Sequence, residues 1–166
     1  MEPIIIDRGQ IILVGFSFFG DPFQLSGEWT EENEIGRLWN RFMAYLDQHS
    51  QRIKHAVAGA AYELHLEHAE TAAKGHFEVF AGLEVEKLED MPVELVAKIL
   101  PASKYAVFTM SGQQINSDWP RQIYQEWLPG SGFRAPFGYN FQYYDQRFKG
   151  MDRLEESAID VYVPIA

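Results

Sequence analysis

The 166-residue sequence contains no cysteine, which excludes disulfides, thiolate catalysis and cysteine-based metal sites. Long apolar segments are also missing. The first apolar run, residues 11–19, is too short to span a membrane, and Glu2 precedes it where a secretory signal would carry basic residues. We therefore expect a cytoplasmic protein that makes no membrane contact.

Positive charge is scarce as well. There are 14 lysines and arginines against 24 aspartates and glutamates, so the net charge is −10. Proteins that bind nucleic acid without sequence preference need a basic patch, so we expect no direct nucleic-acid binding. An acidic surface suits cationic or neutral partners, but it is also an ordinary way to keep a protein in solution.

Motifs for metal-dependent or nucleophilic catalysis are missing too. His65 shares a predicted strand face with Glu63 and Glu67, whereas His68 falls on the other face, and no His-Glu-x-x-His motif occurs. The Gly-Ser-Gly of residues 130–132 lacks the full Gly-x-Ser-x-Gly elbow, and there is no glycine-rich phosphate loop. We predict no metal, no cofactor and no serine-dependent hydrolysis.

Apolar and aromatic residues, by contrast, are abundant. Apolar residues make up 46% of the chain and aromatic residues 14%, which is typical of a globular protein rich in rings. A chain of this length can bury most of its apolar surface in one domain. We therefore predict a single domain that spans residues 1–166.

Signals for strands and helices occur twice in the same order. The first set predicts strands at residues 4–6 and 10–19, a helix that starts at Thr30, and strands at residues 60–66 and 76–85. An apolar stripe at helical spacing runs along this helix, formed by Ile35, Leu38, Trp39, Phe42 and Leu46.

The second set predicts strands at residues 93–100 and 104–110, a helix capped by Ser117 and stopped by Pro129 and Gly130, and strands at residues 139–144 and 158–165. We therefore predict an α+β domain of two strand–helix–strand–strand repeats, about 1–88 and 89–166. They would form one antiparallel sheet with the helices on one face. A central groove between the two helices would then be the place for a small ligand.

The last two predicted strands carry polar side chains at alternate positions. Because alternate side chains of a strand share a face, we expect Gln142 and Tyr144 to lie beside Asp160 and Tyr162. Burying a carboxylate without a partner is unfavourable. The pattern indicates either a ligand site that accepts a cation or the outward polar face of a half-solvated sheet.

The repeats supply equivalent positions for this predicted site. The matched pairs are Glu78 with Asp160, Phe80 with Tyr162, and Glu63 with Gln142. Trp39 and Trp127, on the helix faces directed at the sheet, and Phe18, on the first long strand, are predicted to wall the groove, to pack in the core, or both.

An ordered set of short segments resembles a known family. The segments are Leu13-Val14-Gly15, Leu38-Trp39-x-x-Phe42, and residues 77–85, 104–108 and 161–165. Together they resemble the gyrase-inhibitor-like small-molecule-binding domain, which is also the effector-binding module of AraC-type and MerR-type multidrug-sensing regulators.

This resemblance implies the duplicated fold and a central pocket for bulky amphipathic molecules, often cationic, with a glutamate among aromatic rings. In the family's multidrug binders that acid tends to lie in a Phe-Glu-x-Tyr pattern. Here the pattern is Phe141-Gln142-Tyr143-Tyr144, so glutamine replaces the acid. From the length we expect no DNA-binding domain of the kind that accompanies the module in regulators.

We therefore expect a stand-alone, non-enzymatic receptor for bulky, cationic aromatic compounds. The predicted ligand-binding residues are Phe18, Trp39, Glu78, Phe80, Trp127, Gln142, Tyr144, Asp160 and Tyr162. Two alternatives stay open: a hydrolase of cyclopropane-bearing toxins that uses pocket carboxylates, and an interaction module that acts on a DNA-handling enzyme through an unknown protein partner.

Overall fold

The computed structural model describes residues 2–22 and 33–166. The first set of elements comprises β1 (Ile4–Arg8), β2 (Ile11–Gly20), α1 (Glu34–His49), β3 (Ala61–Leu66), the short α2 (Thr71–Lys74) and β4 (Phe77–Glu84). The second set comprises β5 (Val96–Leu100), β6 (Ser103–Ser111), α3 (Trp119–Arg121), π-helical turns over Gln122–Trp127, α4 (Leu128–Ser131), β7 (Tyr139–Tyr144) and β8 (Ala158–Ile165). We call residues 119–131 the second helix.

The described strands form one eight-stranded antiparallel sheet in the order β1-β6-β8-β7-β3-β4-β2-β5. This confirms the predicted α+β fold. The order is symmetric about the central β7–β3 pair, with each strand of one copy matched by its equivalent in the other. The outermost strands are exchanged: β1 of the first copy pairs with β6 of the second, and β5 of the second pairs with β2 of the first.

Helix α1 has an apolar stripe that packs against the sheet and a polar residue that caps its first turn. Ile35, Leu38 and Phe42 are buried against the sheet. Asn33 is the N-cap residue, and its side chain accepts a hydrogen bond from the backbone N–H of Ile35, which satisfies one of the free donors at the helix start. The predicted cap, Thr30, lies outside the described residues.

The second helix differs from its prediction at both ends. Asp118, rather than Ser117, caps it by accepting from the backbone N–H of Arg121, while Ser117 donates to the carbonyl of Gln114. The predicted stop at Pro129 is wrong, because the helix continues to Ser131. Pro129 lies in α4, directly after the π-helical turns and near the end of the second helix.

The two faces of the sheet bury different cores. We call the face that packs against α1 and the second helix the helix side; it carries side chains such as Val14, Val79 and Val161. We call the other the far side; it carries Leu13 and Phe141, among others. No helix among the described residues is long and apolar enough to cross a membrane.

The far side is closed by curvature of the sheet itself. Arg8, on the edge strand β1, forms an ion pair with Glu84 on β4 at 3.4 Å. Its guanidinium also lies 5.7 Å from the ring centroid of Tyr162 on β8. These contacts join the two halves of the sheet, and the apolar far-side residues are buried although no helix of residues 2–22 and 33–166 packs on them.

Candidate functional site

A buried glutamate lies at the centre of the sheet on the helix side. Glu63 in β3 has no exposed surface. Its Oε2 accepts a hydrogen bond from the indole Nε1 of Trp39 at 2.6 Å. Its Oε1 accepts from Nε2 of Gln142 at 3.2 Å and lies 2.7 Å from Nε2 of His65. Neither carboxyl oxygen is therefore left without a hydrogen bond, as a buried acid requires.

Gln142 extends this network towards the second helix. It is the cross-strand partner of Glu63, so the two equivalent positions of the repeats meet at the symmetry axis. The hydroxyl of Tyr144 donates to Oε1 of Gln142 at 2.7 Å. Burial, together with the nearby Glu63 carboxylate, raises the pKa of Tyr144 well above its usual value, which keeps this hydroxyl a donor at neutral pH. The rings of Trp39 and Tyr144 meet edge to face at 5.5 Å.

An open cleft of about 800 Å³ adjoins the network. It lies between the helix side of β3 and β7, the start of the second helix and the segment before β7. Its aromatic lining consists of Phe77, Trp119, Tyr124, Phe137 and Tyr139, and its polar and acidic lining includes His65, Glu67, Asp118, Asn140 and Gln142. No lysine or arginine occurs among the described residues that line it. Both the size and the combination of aromatic residues with a few polar groups are typical of a small-molecule site.

One wall of the cleft contains a polar pair from β7 and the second helix. Nδ2 of Asn140 donates to the hydroxyl of Tyr124 at 3.1 Å. Burial raises the pKa of Tyr124 to about 12; the hydrogen bond from Asn140 lowers it, and the Glu67 carboxylate raises it further. The carboxamide oxygen of Asn140 is buried and has no hydrogen-bond partner among the residues that the structure describes.

The predicted common face for the last two strands is wrong. In the β7–β8 ladder Phe141 lies opposite Tyr162 and Gln142 opposite Val161. Gln142 and Tyr144 therefore lie on the helix side, and Asp160 and Tyr162 on the far side. A register shift of one residue moves every side chain of a strand to the other face. The connection between these strands, residues 145–157, is too long for a tight turn to set the register.

The two acids predicted to bind a cation already have one. Oδ2 of Asp160 lies 2.6 Å from Nη2 of Arg147, and its Oδ1 accepts from the hydroxyl of Thr109 at 2.7 Å. Glu78, also on the far side, lies 2.5 Å from Nζ of Lys98 and 2.8 Å from Nε2 of His68.

Burial opposes the ionisation of Glu78. Its hydrogen bonds from Lys98 and His68 outweigh that effect and hold the pKa of this carboxyl below its usual value. The protein's own side chains therefore satisfy this acid, and the role of Glu78 and Asp160 in ligand binding stays a prediction.

The remaining predicted residues are placed in the cores. Phe80 is fully buried on the far side, where Tyr162 stacks on Phe141 with ring centroids 4.6 Å apart. Trp127 meets Phe108 edge to face at 5.1 Å, and Phe18 packs against the core under α1. Of the nine predicted residues, Gln142 lines the cleft. Trp39 and Tyr144 are connected to the cleft by their hydrogen bonds to Glu63 and Gln142, respectively.

Several residues around the cleft were not predicted as site residues. Glu63 is matched with Gln142 in the sequence but is not among the nine predicted ligand-binding residues. Its signal was present in β3, where Glu63 and His65 alternate with Tyr62, Leu64 and Leu66 on a central strand. Two polar residues on one face of a strand buried on both sides indicate a polar network. No comparable signal pointed to Asn140, Tyr124 or Phe137.

The duplicated fold and the aromatic cleft above a buried acid define the class as a small-molecule effector-binding domain. A family model described as "Cass2: Integron-associated effector binding protein" matches residues 5–165. The chain therefore belongs to the integron-associated effector binding protein family. The resemblance drawn from the sequence is confirmed.

A regulator is among the relatives. The chain is 32% identical over 170 residues to the transcriptional regulator BrlR of Pseudomonas aeruginosa, an alignment that covers 99% of this chain and 56% of BrlR. The chain thus spans little more than half the length of that relative.

Solved structures share the fold at low sequence identity. SAV2435 bound to tetraphenylphosphonium has a TM-score of 0.72 and 14% identity, over 100% of this chain and 94% of that one. An integron cassette protein of Vibrio cholerae has a TM-score of 0.62 and 16% identity, over 99% and 96%. A hydrolase from Listeria innocua has a TM-score of 0.55 and 9% identity, over 99% and 92%. At these identities the likeness concerns the fold alone.

Proposed function

We propose that the chain is a receptor that binds bulky, cationic aromatic molecules in the cleft and releases them unchanged. The observation that carries this proposal is the completely buried Glu63, whose described hydrogen-bond partners include neither a lysine nor an arginine. It lies directly behind His65 and Gln142, two residues that line the cleft.

The charges around the cleft favour a cation. Glu67 and Asp118 are in its lining and Glu63 lies behind its inner end. Electrostatic attraction is strengthened where protein replaces water, because the effective dielectric constant falls. A cation in this cleft would therefore be attracted by several carboxylates without displacing a basic side chain of the described lining.

The rings of the lining favour an aromatic ligand. Phe137 is 39% exposed and lines the cleft, and its ring is held by stacking on the buried Tyr139, with centroids 5.6 Å apart and planes 15° apart. Each contact between a cation and a ring contributes about 0.5–2 kcal/mol. SAV2435, which shares the fold, binds the aromatic cation tetraphenylphosphonium, and this supports the same ligand class here.

The hydrogen bonds of Glu63 favour binding over turnover. A general acid or base must come within hydrogen-bond reach of the reacting group. Both oxygens of Glu63 are instead engaged by protein groups, and the residue does not line the cleft itself. The hydrolase alternative predicts consumption of an electrophilic compound, which mass spectrometry of the ligand after incubation would detect.

The proposal is tested by titrating the protein with tetraphenylphosphonium and with the neutral triphenylphosphine oxide, using calorimetry and tryptophan fluorescence. Glu63→Gln keeps the side-chain size and removes the charge. We expect it to weaken cation binding about tenfold, equivalent to about 1.4 kcal/mol, and to leave binding of the neutral compound within about twofold.

The matched control is Asp160→Asn, which removes a carboxylate charge from the far side. We expect it to change affinity for the cation by less than about twofold, because Asp160 is already paired with Arg147. Saturable binding that responds to Asp160→Asn and not to Glu63→Gln would overturn the assignment of the site. No binding of either compound would overturn the proposed function.

A further inference from the structure

The carboxamide of Asn140 is held with one end satisfied and the other end without a partner. Asn140 lies in β7, on the cleft-lining face and two residues before Gln142. Its Nδ2 donates to Tyr124, while its Oδ1 is buried and accepts no hydrogen bond from any described residue. A buried acceptor without a donor destabilises the folded protein, so an unpaired one in a cleft wall is a candidate ligand contact.

The hydroxyl of Tyr124 pairs with the Nδ2 end of the amide, and the oxygen end is the one without a partner among the described residues. A neutral phenol can accept an N–H in this way. The Asn140 carboxamide therefore has its Nδ2 directed towards the second helix. A ligand that enters along β7 would therefore meet an oxygen acceptor rather than an N–H donor.

The surroundings of this oxygen select a donor that carries positive charge. Glu67 and Asp118 lie in the same lining, and the Glu67 carboxylate is near enough to raise the pKa of Tyr124. Hydrogen bonds from charged donors are stronger than those from neutral ones. The side-chain movements that commonly accompany ligand binding would bring Oδ1 out of the wall and into contact with the ligand.

We propose that the cleft selects, among aromatic cations, those that carry an N–H donor, such as protonated amines and amidinium groups, over quaternary ammonium and phosphonium ions, and that Asn140 makes this selection. The inference rests on the proposed function, since it assigns a substrate class to the same cleft. A quaternary cation has charge and rings but no hydrogen to donate, so it leaves Oδ1 unpaired.

The experiment compares two probes with the same ring and the same charge. Protonated 1-naphthylmethylamine and (1-naphthylmethyl)trimethylammonium are titrated at neutral pH by calorimetry, with wild-type protein and with Asn140→Leu. The affinity ratio between the two probes, compared between the two proteins, cancels the contributions of ring stacking and of the extra methyl groups. We expect the ratio in favour of the amine to fall about tenfold in Asn140→Leu, the loss of one hydrogen bond to a charged group.

Two further variants separate hydrogen bonding from packing. Asn140→Asp keeps an oxygen acceptor at the same position, so we expect it to retain the preference for the amine and to bind both cations more tightly. Tyr124→Phe removes the group that holds Nδ2, so we expect a smaller fall in the preference, about threefold. If Asn140→Leu does not fold, as judged by circular dichroism, Tyr124→Phe and Asn140→Asp supply the test.

The inference is overturned if the amine-to-quaternary ratio is unchanged in Asn140→Leu, or unchanged in Tyr124→Phe where the leucine variant does not fold. It is equally overturned if Asn140→Asp loses the preference. These failures differ from a failure of the proposed function. When both probes bind with a ratio insensitive to Asn140, only the selection is wrong, whereas no binding of either probe removes the receptor itself.

Discussion

The two faces of the sheet treat carboxylates in opposite ways. On the far side Glu78, Glu84 and Asp160 each have a basic partner, respectively Lys98, Arg8 and Arg147. On the helix side Glu63 is the most deeply buried of these acids, yet its described partners are an indole, an amide and an imidazole. The far-side acids are thus paired with basic side chains of the protein itself, whereas the described partners of the helix-side acid include no lysine or arginine.

The comparison distinguishes acids that are paired with a basic side chain inside the protein from an acid that is available for ligand recognition. A carboxylate in an internal ion pair offers little to a ligand, because the ligand would have to displace a lysine or arginine. Glu63, held by an indole, an amide and an imidazole, has no lysine or arginine among its described partners for a ligand to displace. Burial alone does not distinguish the two kinds; the identity of the hydrogen-bond partners does.

The largest effect is expected when a far-side acid loses its cation. In Lys98→Met the nearly buried Glu78 loses its lysine partner and keeps the contact with His68, so we expect the free energy of unfolding to fall by about 2 kcal/mol. Urea denaturation measures it. The matched control is Lys87→Met, which removes an exposed ion pair with Glu89 and should cost less than about 0.5 kcal/mol. Equal losses in the two variants would mean that burial of the pair does not matter.

A smaller loss of stability is expected on the helix side. Trp39→Phe removes the N–H that donates to Oε2 of Glu63, and we expect the free energy of unfolding to fall by about 1–2 kcal/mol. A double-mutant cycle with Glu63→Leu isolates the hydrogen bond from the change in ring size, with an expected coupling of about 1 kcal/mol. Additive effects of the two substitutions would show that this hydrogen bond contributes nothing to stability.

The exposed Phe137 ring in the cleft lining is expected to affect binding without affecting stability. Phe137 is 39% exposed, so Phe137→Ala should change the free energy of unfolding by less than about 0.5 kcal/mol. Affinity for an aromatic cation should fall about fivefold, the loss of one ring contact. Phe19→Ala is the control, since Phe19 is a similarly exposed ring outside the cleft lining, and its loss should leave affinity unchanged.

The weakest effect is a dependence of stability on pH. Because the pKa of Glu78 is lower in the folded protein than its usual 4.5, its ionised form stabilises the fold above that pH. The contribution is lost as the pH falls from about 4.5 through the lowered folded-state value. Chemical denaturation between pH 3 and 6 should give a shallower decline for Glu78→Gln than for wild type, and identical slopes would contradict this role for Glu78.

Strands and their order could be predicted from the sequence, whereas the pairing between strands could not. Predicted strands at residues 139–144 and 158–165 coincide with β7 and β8, because alternating and β-branched residues report local conformation. Which residues face each other across the ladder depends on register, and a 13-residue connection carries no local signal for it. The unknown register is the reason why Asp160 and Tyr162 are predicted on the wrong face of the sheet.

Part of the candidate site could be predicted from the sequence. The rest could not, again because contacts between distant segments leave no local signal. Gln142, Tyr144 and Trp39 were expected near a ligand, and all three belong to the network around Glu63. The cleft itself depends on where the second helix begins and on the segment before β7, and neither is determined by periodicity. The positions of Tyr124 and Phe137 therefore could not be predicted. The continuation of the helix past Pro129 follows π-helical turns, which sequence patterns do not indicate.

The exchange of the outermost strands means that neither repeat is a self-contained folding unit. Chain cleavage between β4 and β5 would leave each fragment with an edge strand whose hydrogen-bonding neighbour belongs to the other fragment. The two halves are joined through these exchanged strands. Duplication in this arrangement places the equivalent residues Glu63 and Gln142 opposite each other at the centre of the sheet.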